Sequence, residues 1–89
     1  MTYIVTFSVL STTQSYEMLI SEIKSSNEWA KLNQQCYLVM SNEKASELRD
    51  RLRKHLLVGE QLFVAKILAP AAWTGASKEL TEWIKKALR

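Results

Sequence analysis

The residues best able to do chemistry are few and scattered along this chain. The single histidine, His55, follows Arg53 and Lys54, and general-base catalysis at His55 would need a partnered nucleophile that the sequence does not offer. The single aspartate, Asp50, falls within a helical charge pattern, and the glutamates do not cluster as a hard cation requires. We therefore predict no catalytic residue, no bound metal and no cofactor.

Cysteine and glycine usage excludes further kinds of site. Cys36 is the only cysteine, so the chain has no intramolecular disulfide and no cysteine-based zinc site. We expect its thiol to be a buried apolar group within a strand. Gly59 and Gly75 are the only glycines, which leaves no glycine-rich loop to cradle a phosphate.

The densest group of potential binding residues is a basic cluster at positions 49–54. Arg49 and Arg53 are four residues apart, so on a helix they share one face, and Lys54 follows directly. Arginine forks match phosphate oxygens, and a row of them grips successive phosphates. We therefore predict that Arg49, Arg53 and Lys54 contact nucleic acid. The alternative is a solvated helix face that Glu47 and Asp50 partly neutralise.

The composition is that of one folded, mildly basic domain spanning residues 1–89. Hydrophobic residues make up 47% and charged residues 24% of the chain, and the net charge is +3. A chain of this composition is too apolar to be a disordered segment. The first residues alternate between apolar and polar, unlike a signal peptide, and no apolar run reaches membrane-spanning length. We expect a cytoplasmic protein with no membrane contact.

The order of hydrophobic patterns predicts the fold that positions these residues. Two-residue alternation marks strands, and a 3.6-residue period marks helices. The patterns predict strands at 3–10, 29–32, 36–40 and 61–68, and helices at 15–25, at 42–58 and after Ser77. A β-α-β-β-α-β order of this length is typical of a ferredoxin-like α+β sandwich, here with an added C-terminal helix.

Residue patterns within these elements predict caps, ion pairs and packing. The 36–40 strand is apolar at every position, which is typical of a strand covered on both faces. Helices cover one face, so we expect the chain's tail or a second subunit on the other.

For the second helix we predict a cap from Ser41 or Asn42. We also predict two ion pairs at i, i+4 spacing, Glu47–Arg51 and Asp50–Lys54.

Several stretches of this sequence occur together in one small bacterial family. They are the Tyr3–Leu10 and Trp29 strands, Cys-Tyr-Leu-Val-Met at 36–40, Arg-Asp-x-Leu at 49–52, Leu-Phe-Val at 62–64, Ala-Trp-Thr-Gly at 72–75 and Glu-Trp-Ile-Lys-Lys at 82–86. On these stretches the chain resembles the SinR-like proteins. Those are distant relatives of the small ferredoxin-like nuclease subunit of the CRISPR adaptation complex and of the VapD toxins.

The resemblance implies a homodimer and a connection to nucleic acid. Relatives pack two sheets together, so we expect a sheet-face dimer interface from Leu62 and Val64 of the fourth strand and from the Trp73 turn. The resemblance also implies either a metal-dependent nuclease or a structural duplex binder.

One position departs from the family pattern. The relatives carry an aspartate at the end of the first strand, after an aromatic residue, whereas here Phe7 is followed by Ser8. A neutral hydroxyl is a poor magnesium ligand compared with a carboxylate, so the metal-ion route to an activated water lacks its anchor. We therefore predict a nuclease-deficient binding or scaffolding module. The alternatives are a metal-dependent ribonuclease toxin that acts without this aspartate and an antitoxin-like protein-interaction subunit.

Overall fold

The computed structural model describes residues 1–9 and 14–88, with side chains from residue 16 onward in the second range. The predicted end of the first strand at Leu10 and the polar turn after it lie outside the described residues. The elements in chain order are β1 (Thr2–Ser8), α1 (Gln14–Lys24), β2 (Glu28–Asn33), β3 (Cys36–Met40), α2 (Ala45–Arg53), β4 (Gln61–Lys66) and α3 (Lys78–Ala87).

The strands form one antiparallel sheet in the order β2-β3-β1-β4. Four strands and three helices within the described ranges confirm the predicted α+β class. The observed strand β4 is shorter than the predicted strand at 61–68. It ends at Lys66, and the chain leaves the sheet before Pro70. No helix in the described ranges is long and apolar enough to cross a membrane.

One face of the sheet carries the main hydrophobic core. Successive strand residues point to opposite faces, so odd-numbered residues of β1 and β3 meet the helices together. The helices contribute stripes at i, i+4 spacing. The buried members of this core are Tyr3, Val5, Phe7, Leu19, Ile23, Tyr37, Val39, Leu48 and Leu52.

The opposite face is covered in part by the tail of the chain. Tyr37, Leu38 and Val39 of β3 are 2%, 3% and 0% exposed, which confirms that this strand is buried on both faces. Two polar contacts hold the end of α3 against this face. The Thr2 hydroxyl donates to the Ala87 carbonyl at 2.9 Å, and the Lys86 ammonium lies 3.4 Å from a Glu28 carboxylate oxygen. Ile84 is the buried anchor of α3.

The helix caps follow the prediction at α3 but not at α2. The Ser77 hydroxyl accepts from the Leu80 amide at 3.1 Å, as expected for an N-cap serine. The predicted cap of α2 is wrong: the N-cap residue is Lys44, whose amide donates to a Glu47 carboxylate oxygen at 2.8 Å. The Ser41 hydroxyl instead accepts from the Glu43 amide in the preceding turn.

Candidate functional site

The predicted basic cluster lies on the outward side of α2. Leu48 and Leu52 are fully buried in the core, so the next residue in each case falls on the solvent side of the helix. The Arg49 and Arg53 side chains are 52% and 64% exposed. Lys54, the C-cap residue of α2, is also exposed. The structure therefore brings the three predicted residues together on one surface.

One carboxylate serves both arginines of this surface. Asp50 Oδ1 accepts from Arg49 Nε at 3.0 Å and lies 2.9 Å from Arg49 Nη2, while Arg53 Nε is 3.5 Å away. Exposed ion pairs of this kind contribute only about 0–1 kcal/mol, so either arginine can be drawn to another anion at little cost. Three cations and one carboxylate leave a surplus of positive charge on this side of α2.

The predicted Glu47–Arg51 and Asp50–Lys54 ion pairs are replaced by other partners. Glu47 caps its own helix at the Lys44 amide, and Asp50 turns to the arginines on either side of it. Arg51 points away from the exposed cluster, toward α1, because two positions along a helix turn a side chain through roughly 200°.

Arg51 is the centre of a polar network between α1 and α2. Its guanidinium Nη1 donates to the Glu22 carboxylate at 2.8 Å, and Nη2 donates to the Glu43 carboxylate at 2.9 Å. Nη1 also donates to the Ser25 hydroxyl at 3.0 Å, and Nη2 to the Ser26 hydroxyl at 3.1 Å. We call these five residues the Arg51 network.

The electrostatics of this network favour its charged forms. Hydrogen bonds from Arg51 lower the pKa of the Glu22 carboxyl, and a hydrogen bond with His55 lowers it further. The bonds from Arg51 also lower the pKa of the Glu43 carboxyl, and in return the pKa of the Arg51 guanidinium is raised. His55 Nε2 lies 3.1 Å from a Glu22 carboxylate oxygen, so the single histidine contacts this network.

A cleft of about 510 Å³ lies beside the network, between the end of α1 and the start of α2. It has the charged lining of a binding site, but its arginine already has partners at all three nitrogens. A guanidinium has five N–H groups, and a ligand here would have to displace existing hydrogen bonds. The Arg51 network therefore holds α1 to α2.

Two further clefts meet at the outer edge of β4. One, of about 390 Å³, lies between α2 and β4 and is lined by Ala45, Ser46, Arg49, Leu62, Phe63 and Val64. The other, of about 630 Å³, lies at the end of β1 and shares Leu62 and Phe63 with the first. The two clefts therefore connect the exposed side of α2 with the open face of the sheet.

The strand register decides which side chains of β4 face outward. Leu62 pairs with Phe7, and Val64 pairs with Val5, so both lie on the helix-covered face and pack against the core. They are half-buried there and do not occupy the open sheet face on which the predicted dimer interface was placed. Phe63 occupies the open face instead and is 62% exposed.

The other predicted interface residue, Trp73, packs on its own protomer. Its indole Nε1–H donates to the Thr81 hydroxyl of α3 at 3.2 Å, which fixes the turn before α3. The ring is still 38% exposed, so much of its surface is available to a partner.

Ser8 ends β1 and is exposed, opposite Gln61 of β4. The adjoining cleft is lined by hydroxyl, amide and apolar groups and by Glu60. Among the described residues, no group of three or more His, Cys, Asp or Glu side chains could hold a metal ion.

Two features of this region were not predicted. The Arg51 network joins residues up to 29 positions apart, and local sequence gives no signal for it, because Arg51 is one of three consecutive charged residues between the apolar positions 48 and 52. The exposure of Phe63 could not be predicted, because Leu62, Phe63 and Val64 are all apolar and alternation does not show which of them faces solvent.

Comparisons of the chain with protein-family models, with curated proteins and with solved structures find no match.

Proposed function

We propose that this chain is a nucleic-acid-binding module that contacts phosphates through Arg49, Arg53 and Lys54 without cleaving them. The observation that carries the proposal is the pair of guanidinium forks on one face of α2, 52% and 64% exposed and sharing a single exposed carboxylate. Forks at this spacing suit neighbouring phosphates, which compete well with a solvated Asp50.

The proposed architecture is a ferredoxin-like sandwich. The β2-β3-β1-β4 order supports it, because each helix then links two strands that are separated by one other strand. In that arrangement α2 runs beside the edge strand β4, so its outer face is open to a long ligand.

A binding role without hydrolysis is supported by Ser8. In the SinR-like proteins and their relatives an aspartate is expected at this position, and two such carboxylates across a dimer would hold a divalent metal. The Ser8 hydroxyl is neutral, exposed and faces Gln61, so it supplies no charge to a metal ion. Incubation with RNA and Mg²⁺ or Mn²⁺ should leave the RNA intact.

The proposal is tested by the salt dependence of affinity. Replacing Arg49 and Arg53 with alanine should weaken binding to every nucleic acid and make the slope of log affinity against log salt shallower by about 1.5, because two phosphate contacts are lost. Fluorescence anisotropy with labelled oligonucleotides at several salt concentrations measures both effects.

The matched control removes two positive charges elsewhere. Lys31 lies on β2 and Lys78 at the start of α3, and both are exposed. The Lys31→Ala, Lys78→Ala double variant should bind nearly as the wild type does. If the wild type and the Arg49→Ala, Arg53→Ala variant have equal affinity and equal salt slope, these two arginines do not contact nucleic acid.

We also propose that the module acts as a homodimer. Two apolar side chains in the segment between β4 and α3 support this, since Leu68 is 67% exposed and Trp73 is 38% exposed. Exposed apolar surface of this kind is often covered by a partner, and a domain of this size buries limited area alone.

A further inference from the structure

Phe63 presents an aromatic ring that the fold does not use. It is 62% exposed, whereas Tyr3, Phe7 and Tyr37 of the same sheet are at most 4% exposed. Burying a phenylalanine on folding is worth roughly 2 kcal/mol, so a ring left in solvent at the centre of β4 contributes little to stability. More than half of the surface of this residue is therefore available to a ligand.

Three uncharged side chains on the same sheet face as this ring can form hydrogen bonds, and the charged residues Glu60 and Arg49 line the two clefts that the ring borders. Thr6 lies directly opposite Phe63 in the sheet, and Ser8 lies opposite Gln61 on the same face. Cross-strand neighbours of this kind are about 5 Å apart at Cβ. All three polar side chains are exposed. An aromatic platform beside hydroxyl and amide groups matches the face and the edge of a nucleobase.

The ring is connected to the proposed phosphate site. Three consecutive residues, Leu62 to Val64, line the cleft beside α2. Because successive strand residues point to opposite faces, that cleft must run along the outer edge of β4. Arg49 lines its α2 side, and Phe63 also lines the cleft at the end of β1, together with Thr6 and Ser8. A flexible chain can therefore pass from one cleft to the other around this edge.

We propose that the ligand is single-stranded nucleic acid that crosses the outer edge of β4. A phosphate lies on Arg49, and an unpaired base stacks on Phe63, where Thr6 and Gln61 reach its edge. This inference rests on the proposed function and specifies its ligand. A duplex does not satisfy the site, because its bases are already stacked and paired and cannot reach the ring.

The test compares single strands with duplexes of the same sequence. Anisotropy is measured with a 12-nucleotide DNA strand, the equivalent RNA, and the duplex of each. Phe63→Leu keeps apolar bulk but removes the π face, so single-strand affinity should fall about tenfold while the salt slope stays unchanged. Phe63→Tyr should bind like the wild type.

A 2-aminopurine base in the strand reports stacking directly, and its fluorescence should be quenched by the wild type and much less by Phe63→Leu. The matched control is Met18→Ala, which truncates an apolar side chain that is 47% exposed on α1. It should leave affinity and quenching unchanged. Urea unfolding of each variant shows that a loss of binding does not come from a loss of folding.

Three results would overturn the inference. Equal affinity for strand and duplex with no effect of Phe63→Leu would leave the arginine contact standing and remove the stacked base. A shift of the free protein from dimer to monomer on Phe63→Leu, without loss of binding, would show that a second copy covers β4. Absence of binding by the wild type would end both this inference and the proposed function.

Discussion

Arg49 and Arg51 are two positions apart on α2 and have opposite surroundings. Arg49 has one exposed carboxylate partner and a side chain 52% exposed, whereas Arg51 is 23% exposed and bonded to two carboxylates. The difference follows from helix geometry, since two residues turn the side chain to the opposite side of the helix. One arginine is therefore available to a ligand, and the other holds the two helices together.

We predict that Arg51→Met lowers the free energy of unfolding by about 2 kcal/mol. The substitution removes charge-assisted hydrogen bonds and takes away the guanidinium that neutralises both Glu22 and Glu43. Arg49→Met should change stability by less than about 0.5 kcal/mol, because its ion pair is exposed. Urea unfolding at pH 7 measures both, and a value for Arg51→Met as small as that for Arg49→Met would contradict the structural role.

The stabilisation that Arg51 provides should depend on pH. The pKa values of Glu22 and Glu43 are lowered in the folded state by Arg51, so the unfolded chain binds more protons than the folded one in the acidic range. Their contribution is complete above the unfolded glutamate pKa of about 4.3 and is lost as pH falls through the folded values. The stability difference between wild type and Arg51→Met should therefore shrink below about pH 4.

At the scale of elements, α3 is tied more loosely than the rest of the fold. Its described polar ties are the Thr2–Ala87 and Lys86–Glu28 contacts and the Trp73–Thr81 hydrogen bond, and Ile84 is its buried residue. An 11-residue span, 67–77, separates it from β4. The central strands, in contrast, are bonded on both sides and buried.

We predict that the amides of α3 exchange with solvent at least about tenfold faster than those of β1 and β3, because local opening of α3 breaks few contacts. Hydrogen exchange followed by NMR checks this by residue. Ile84→Ala should increase exchange in α3 and leave β1 unchanged. Uniform protection across α3 and the central strands would show instead that α3 opens only when the whole domain unfolds.

The strands β3 and β4 differ in how well their buried faces could be predicted from the sequence. The continuous apolar run of β3 correctly predicted burial on both faces, because every position in such a strand must avoid water. The same reasoning failed for β4, where neighbouring apolar residues leave the face undecided until β1 pairing sets the register. The basic cluster was predictable from local spacing, but the partners of Arg51 come from α1 and the turn before α2.

At the scale of the whole molecule, we predict a homodimer in solution. Analytical ultracentrifugation should give twice the 10.2 kDa protomer mass, falling toward the protomer mass on dilution. Leu68→Ala should weaken association about tenfold, as expected for an exposed apolar anchor. Leu57→Ala, at a leucine 55% exposed in the turn before β4, is the matched control and should not affect association. A single protomer mass at all concentrations would contradict the dimer.

The position of Cys36 gives this molecule a built-in reporter. The chain has one sulfhydryl, and it lies across from Thr6 on the open side of the sheet, in the same row as the Phe63 ring. Burial raises the pKa of the Cys36 thiol, so less of it is thiolate than in an exposed cysteine and its alkylation is slower. A fluorophore or spin label can still be attached at a single defined point without engineering a new cysteine or removing others.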